Sequence, residues 1–205
     1  NLKTEFGAFG VPVAVENDAN CMAIAESNAL SADVTADVLC LTYGTCVGGA
    51  IVRGGAVYHG VNWSAGEFGM MYMGGEYYEN IASVTHLVEQ AKAMDASLCD
   101  GRAITAQLNR SDVYALVDGW AKQVAEGLAS LMHIFNPTCI IIGGGIMEDE
   151  NVFNMVTSKV SELTAPGFDV NIRSARFGNS AGLICAKAYE MTSTAFVLNL
   201  CSRPV

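Results

Sequence analysis

The stretch from residue 38 to residue 59 leaves this chain few folds. Val38-Leu39-Cys40-Leu41-Thr42 reads as a buried strand, and two further strands follow over residues 49–53 and 56–59. Gly54-Gly55 joins the last two as a tight hairpin turn, and the glycine-rich "TYGTCVGG" returns the first strand into the second.

Helices and single strands alternate around this meander. The apolar run Val11-Pro12-Val13-Ala14-Val15 predicts a short buried strand, and a helix follows over 19–29. Another helix is predicted over 79–94, and the longest runs from a Ser111 N-cap to Phe135. Along it Val113, Leu116, Val117, Trp120, Val124, Leu128, Leu131 and Phe135 recur every three or four residues, so one face is buried. Asn136-Pro137 stops it. A strand over 139–142, a helix over 151–163, a short strand over 169–174 and a last helix over 181–198 complete an α/β layered pattern.

Composition narrows the class of partner. The chain has 205 residues, of which 51% are hydrophobic and 16% charged, which excludes a disordered chain. A net charge of −10 argues against nucleic acid or an anionic membrane as the partner of this segment. No apolar run approaches the length of a membrane span, and no signal peptide opens the chain. The chain begins at Asn1, without an initiator Met, as though partway through a longer protein. None of the seven cysteines is spaced as C-x-C or C-x-x-C, so they read as reduced core residues of a cytoplasmic protein and not as a zinc site.

Four short stretches carry polar chemistry. In "VENDAN" an acid and two amides, Asn17, Asp18 and Asn20, sit where a strand gives way to a helix; they either cap the helix or hold a polar substrate. In "LTYGTCVGGAIVRGG" the glycines let backbone N–H groups point at an anion, and Thr42 and Thr45 add hydroxyl donors. Gly143-Gly144-Gly145 lies between a strand and a helix, a common place for a nucleotide. Glu67, flanked by Gly66 and Gly69, is either solvated or accepts hydrogen bonds from sugar hydroxyls. Glu79 opens the next helix, where its charge favours the helix dipole. His59, His86 and His133 have no acid or cysteine at a triad or metal spacing and are expected at the surface or in the core. Tyr77-Tyr78 either stacks on a sugar ring or fills space.

The order of these stretches resembles the ROK family of bacterial sugar kinases and sugar-responsive repressors. "FGVPVAVENDANCMAIAE" is similar to the family's fg-x-P-V-x-v-x-N-D-A-n segment, and "VLCLTYGTCVGGAIVRGGAVYHG" to its second phosphate hairpin, T-x-G-T-G-v-G. "SAGEFG" resembles the A-G-E-x-G-H sugar motif up to its last residue, "NPTCIIIGGGI" the strand beside the adenosine, and "FGNSAGLICAKAYE" the closing helix. The resemblance implies an actin-like, hexokinase-like (ribonuclease H-like) α/β fold in two lobes. Residues 1–30 would be the edge of an N-terminal lobe and 31–205 the C-terminal lobe, whose final helix packs back toward the first. It implies a kinase using ATP and Mg²⁺ on a hexose or amino sugar, with Asp18 as general base. Asn17, Gly66, Glu67 and Glu79 would hold the sugar; Thr42, Gly44, Thr45 and Gly48 would grip phosphate; Gly143, Gly144 and Gly145 would lie along the adenosine. The alternative within the family is a sugar-responsive repressor whose DNA-binding part is not in this chain, or an inactive truncated product. A homodimer is open to it.

Three departures and one missing segment qualify the resemblance. Met70 stands where the family places a histidine, and only Tyr72-Met73-Gly74-Gly75-Glu76 stands in place of the cysteine-rich zinc loop. Together they imply a branch without structural zinc. Cys46 replaces the second glycine of G-T-G. The D-x-G-G-T loop with which family members begin has no counterpart, because the one Gly-Thr pair is already in the second phosphate hairpin. The chain is therefore expected to be N-terminally truncated and catalytically incomplete by itself.

Overall fold

The computed structural model describes residues 2–8, 10, 13–30, 37–190 and 196–200. Helix α1 (Leu2–Gly7) leads to strand β1 (Val13–Asn17), and α2 (Asp18–Asn28) follows directly. The predicted meander is β2 (Asp37–Tyr43), β3 (Val47–Arg53) and β4 (Ala56–Val57), the last shorter than its sequence suggests. A small hairpin, β5 (Tyr72–Met73) and β6 (Glu76–Tyr77), precedes α3 (Tyr78–Ala82), α4 (Val84–Met94), α5 (Gly101–Thr105) and α6 (Ser111–Phe135). Then come β7 (Cys139–Gly143), α7 (Glu150–Leu163), β8 (Ile172–Ser174), α8 (Ala181–Glu190) and β9 (Phe196–Leu200).

Five strands form one mixed sheet in the order β4-β3-β2-β7-β8. The β2–β3 hairpin is antiparallel, whereas β7 runs parallel to both β2 and β8. Both faces of the central strands are covered, as expected of apolar runs with parallel neighbours. Leu39, Leu41, Tyr43, Ile140 and Ile142 point into a core shared with α3 to α7. The alternate residues Val38, Cys40, Cys139 and Ile141 point the other way, onto Ala19, Met22, Ala23 and Ala25 of α2. A period of two thus sorts each strand between two layers.

Four expectations need correcting. The helix predicted over 79–94 is broken at Ser83, whose extended backbone (ψ 154°) ends α3 and begins α4. Its hydroxyl accepts from His86 N at 3.3 Å, and the Trp120 indole donates to the carbonyls of Ala82 (3.1 Å) and Ser83 (3.2 Å), so the break leaves no polar group stranded. Ser111 is the first residue of α6 and not its cap; Arg110 holds the N-cap position, and its guanidinium grips Asp112 and Asp95 instead. The predicted strand over 169–174 is reduced to β8. The last helix ends at Glu190, and Phe196–Leu200 forms β9, parallel to β1 with Val13 opposite Phe196. A partner strand distant in sequence decides that segment, which local periodicity does not report. Val11, Pro12, Cys201 and the division expected after residue 30, which abuts residues 31–36, fall outside the described residues. No helix among the described residues is long and apolar enough to cross a membrane.

Candidate functional site

Strand β1 ends at Asn17 and α2 begins at Asp18, so the backbone turns where the two polar residues stand. Asn17 is a true N-cap: its Oδ1 accepts from Ala19 N at 2.8 Å and Asn20 N at 3.2 Å. Asp18 is exposed, and its Oδ1 accepts from Ala19 N at 2.9 Å. The cap therefore does not compete with a substrate role for the pair; it fixes the turn that presents the Asp18 carboxylate.

Behind this turn lies Glu16, only 6% exposed. Its carboxylate accepts from Asn17 N (3.0 Å), Asn20 Nδ2 (2.7 Å) and His59 Nε2 (3.0 Å). An ionised carboxylate can only accept, so His59 Nε2 carries the proton. Burial pushes the Glu16 carboxyl up, but the hydrogen bonds from His59, Asn20 and the Asn17 backbone outweigh it and hold the group below its ordinary 4.5. Sequence reasoning missed this pair, because 43 residues separate its members.

The glycine-rich hairpin of β2 and β3 sits against the same helix start. Thr42 pairs with Gly48 across β2 and β3 and with Gly143 across β2 and β7. A Cβ on Gly48 would stand 2.6 Å from Thr42 Oγ1 and 3.5 Å from the Cβ of Ala19, the residue after Asp18. A Cβ on Gly143 would stand 3.2 Å from Met22 Sδ, also on α2. Gly144 has φ +113°, and any side chain there would run into the backbone carbonyl of Tyr43. Gly145 meets nothing within 4 Å. Gly44 and Thr45 form the hairpin tip, where Gly44 O accepts from Val84 N of α4 at 2.9 Å. Cys46 is half-buried and is not among the residues with positive φ, so its side chain is carried without backbone strain. The result is a cradle of bare backbone at the carboxyl ends of the parallel strands β2 and β7, the position where ligands of open α/β sheets bind. Gly44 and Gly145 face open space there, since a Cβ on either would meet nothing within 4 Å.

The third stretch closes over β3. Gly66 has φ +92°, and a Cβ there would lie 2.9 Å from Gly49 O. Phe68 is buried, whereas Glu67 is exposed. Glu79, in the first turn of α3, has its Oε2 3.3 Å from where a Gly69 Cβ would stand, so the two glutamates are drawn to one loop. Met70 ends a single 3-10 turn and is 47% exposed. The β5–β6 hairpin stacks Tyr72 edge-on to Tyr77. Tyr78 instead fills the core, sharing a hydrogen bond with the Tyr43 hydroxyl (2.9 Å) and donating to Val124 O (2.7 Å). Among the described residues no three His, Cys, Asp or Glu side chains gather as a metal site. Clefts of about 270 and 300 Å³ lie at Asp37–Phe135 and Phe153–Val170 and are lined by none of the predicted site residues.

A sequence profile of the ROK family matches residues 2–191. The chain is 34% identical over 192 residues to the beta-glucoside kinase of Listeria innocua, covering 86% of this chain and 64% of that protein. It superposes on the ROK hexokinase of Thermus thermophilus with a TM-score of 0.81 at 28% identity, over 94% of this chain and 72% of that one. The ROK glucokinase of Streptomyces griseus, solved with glucose and AMPPNP, gives a TM-score of 0.80 at 26% identity, over 92% and 71%. The fold is the actin-like, hexokinase-like one of these neighbours. The chain spans 62% to 64% of the length of three curated relatives that it matches.

Proposed function

The chain belongs to the ROK family, and from that we propose that it serves an ATP-dependent carbohydrate kinase acting on a hexose or amino sugar. Asp18 is the general base. It takes the proton of the attacking sugar hydroxyl as that oxygen bonds to the γ-phosphorus, while the bond from phosphorus to the β–γ bridging oxygen breaks and ADP leaves with the electron pair. Asn17, Gly66, Glu67 and Glu79 hold the sugar hydroxyls. Thr42, Gly44, Thr45 and Gly48 receive the phosphates, and Gly143, Gly144 and Gly145 lie beside the adenosine. Mg²⁺ bound to the ATP phosphates would supply charge neutralisation. Met70 and the short β5–β6 hairpin support a site without structural zinc. The partners are small molecules and not nucleic acid, the cytoplasm is the expected location, in keeping with the free cysteines among the described residues, and a homodimer is compatible with the family.

The observation that supports this reading is the closeness of Gly48 in β3 to Ala19, the residue after Asp18, which brings the glycine-rich hairpin to the start of α2. The test is a coupled phosphorylation assay over a sugar panel, on protein expressed from its full coding sequence. Asp18→Asn should lower kcat by about 10²–10⁴-fold, with sugar affinity retained by calorimetry. Unchanged turnover removes Asp18 from its role. Sugar binding without phosphorylation in the unsubstituted protein would favour the sugar-responsive repressor instead.

A further inference from the structure

The Glu16 carboxylate joins two segments that are far apart in the chain. Asn17 N and Asn20 Nδ2 donate to it at 3.0 and 2.7 Å, and both belong to the turn that presents Asp18. The third donor, His59 Nε2 at 3.0 Å, comes from the loop after β4, 43 residues further on. The imidazole is 26% exposed and the carboxylate 6%, so water competes little for this bond. The backbone around His59 is held as well. Tyr58 N donates to Ile51 O at 2.8 Å, which fastens the preceding residue to β3. Ala65 N donates to His59 O at 3.0 Å, and Gly60 turns the chain at φ +72°. The loop that His59 opens is thus closed on itself, and it runs directly into Gly66 and Glu67.

From this arrangement we infer that His59 is a positioning residue, which holds the Asn17-Asp18 turn and the loop ending in Glu67 in fixed relation through the Glu16 carboxylate. The inference rests on the carbohydrate-kinase reading, in which Asp18 takes a proton from the sugar whose other hydroxyls Glu67 holds. It adds to that reading a residue that acts through Glu16 and not on the sugar. Without the imidazole the turn itself would stay capped, since Asn17 Oδ1 still accepts from Ala19 N and Asn20 N. What is lost is the tie between two segments that serve one sugar, and a misplacement of about 1 Å can cost about 10²-fold in rate. The glycine-rich hairpin is not a member of this tie, so ATP binding should not depend on it. The imidazole also packs on Trp63, at a centroid distance of 4.3 Å, and that contact has to be separated from the hydrogen bond.

Two substitutions, made in protein expressed from its full coding sequence, separate them. His59→Gln keeps an N–H donor for Glu16 and loses the ring, whereas His59→Phe keeps a ring against Trp63 and loses the donor. In the coupled assay, on the hexose of the panel turned over fastest, His59→Phe should lower kcat by about 10- to 100-fold. KM for ATP should not change, and His59→Gln should restore most of the rate. Amide exchange on the same proteins gives a readout that needs no turnover. In His59→Phe it should quicken at residues 17–20 and at Ala65 together, with α6 unchanged, and His59→Gln should leave both segments as they were. Unchanged exchange at residues 17–20 in His59→Phe overturns the inference. So does a His59→Phe that turns over as the unsubstituted protein does, or quickened exchange through α6 in both variants, which would make His59 a general support of the fold. If the unsubstituted protein phosphorylates no hexose, the kinase reading falls, and exchange at residues 17–20 decides the tie by itself.

Discussion

A carboxylate as buried as Glu16 survives folding only where donors replace its water, and three do. Because the folded group titrates below its ordinary 4.5, ionised Glu16 stabilises the fold above the unfolded value, and that contribution is lost as pH falls through the lower folded one. Glu16→Gln should therefore cost about 1–3 kcal/mol at pH 7 and flatten the fall in stability as the pH drops below that ordinary value. Urea unfolding of both proteins at pH 7 and pH 3 measures this; a constant difference at the two pH values would mean that the charge contributes nothing. Half of this arrangement was legible. The run from Glu16 to Asn20 announces a polar turn, and the cap and the exposed acid follow from residue type. His59 was not legible as a partner, since only the return of β3 into β4 and the loop after it brings it to β1.

At the scale of the element, α6 shows where sequence pattern suffices and where it does not. Its 25 residues were readable because the apolar spacing persists throughout and Asn136, at φ 43°, closes it before Pro137. Gly127 within it has no local rationale, being a poor helix former. Its reason is tertiary: a Cβ there would lie 2.6 Å from the Tyr78 hydroxyl, which is fully buried and bonded to Tyr43 and Val124. Gly127→Ala gains about 1 kcal/mol of helix propensity but must displace a ring that has nowhere to go, a clash of the kind that costs about 1–3 kcal/mol or more. The net expectation is a lower Tm by calorimetry, and a raised Tm would show that Tyr78 can retreat. The break at Ser83 failed to show for a related reason. Serine reads as tolerable within a helix, and the Trp120 indole that accepts the break belongs to another element.

Across the whole molecule, α2 is the element on which the site and the fold both depend. Its first turn carries Asp18 and lies beside the glycine-rich hairpin at Gly48. Its buried side packs on β2 and β3, and its far end meets the approach to α8. There Glu26, 2% exposed, accepts from the backbone N–H groups of Arg176 (2.7 Å) and Phe177 (2.9 Å), about 150 residues away in the chain. One carboxylate thus fixes the helix that bears Asp18 to the segment that follows β8. Glu26→Ala would leave both donors unsatisfied, at a cost of about 1–3 kcal/mol, whereas Glu26→Gln keeps a carbonyl oxygen in place and should cost less. Because the loss falls on the join and not on the sheet, amide exchange should quicken at residues 176–185 and through α2 while β2 and β7 keep their protection. Uniform loss across the sheet would mean that Glu26 supports the core as a whole, and the helix that carries Asp18 would then have no anchor distinct from it.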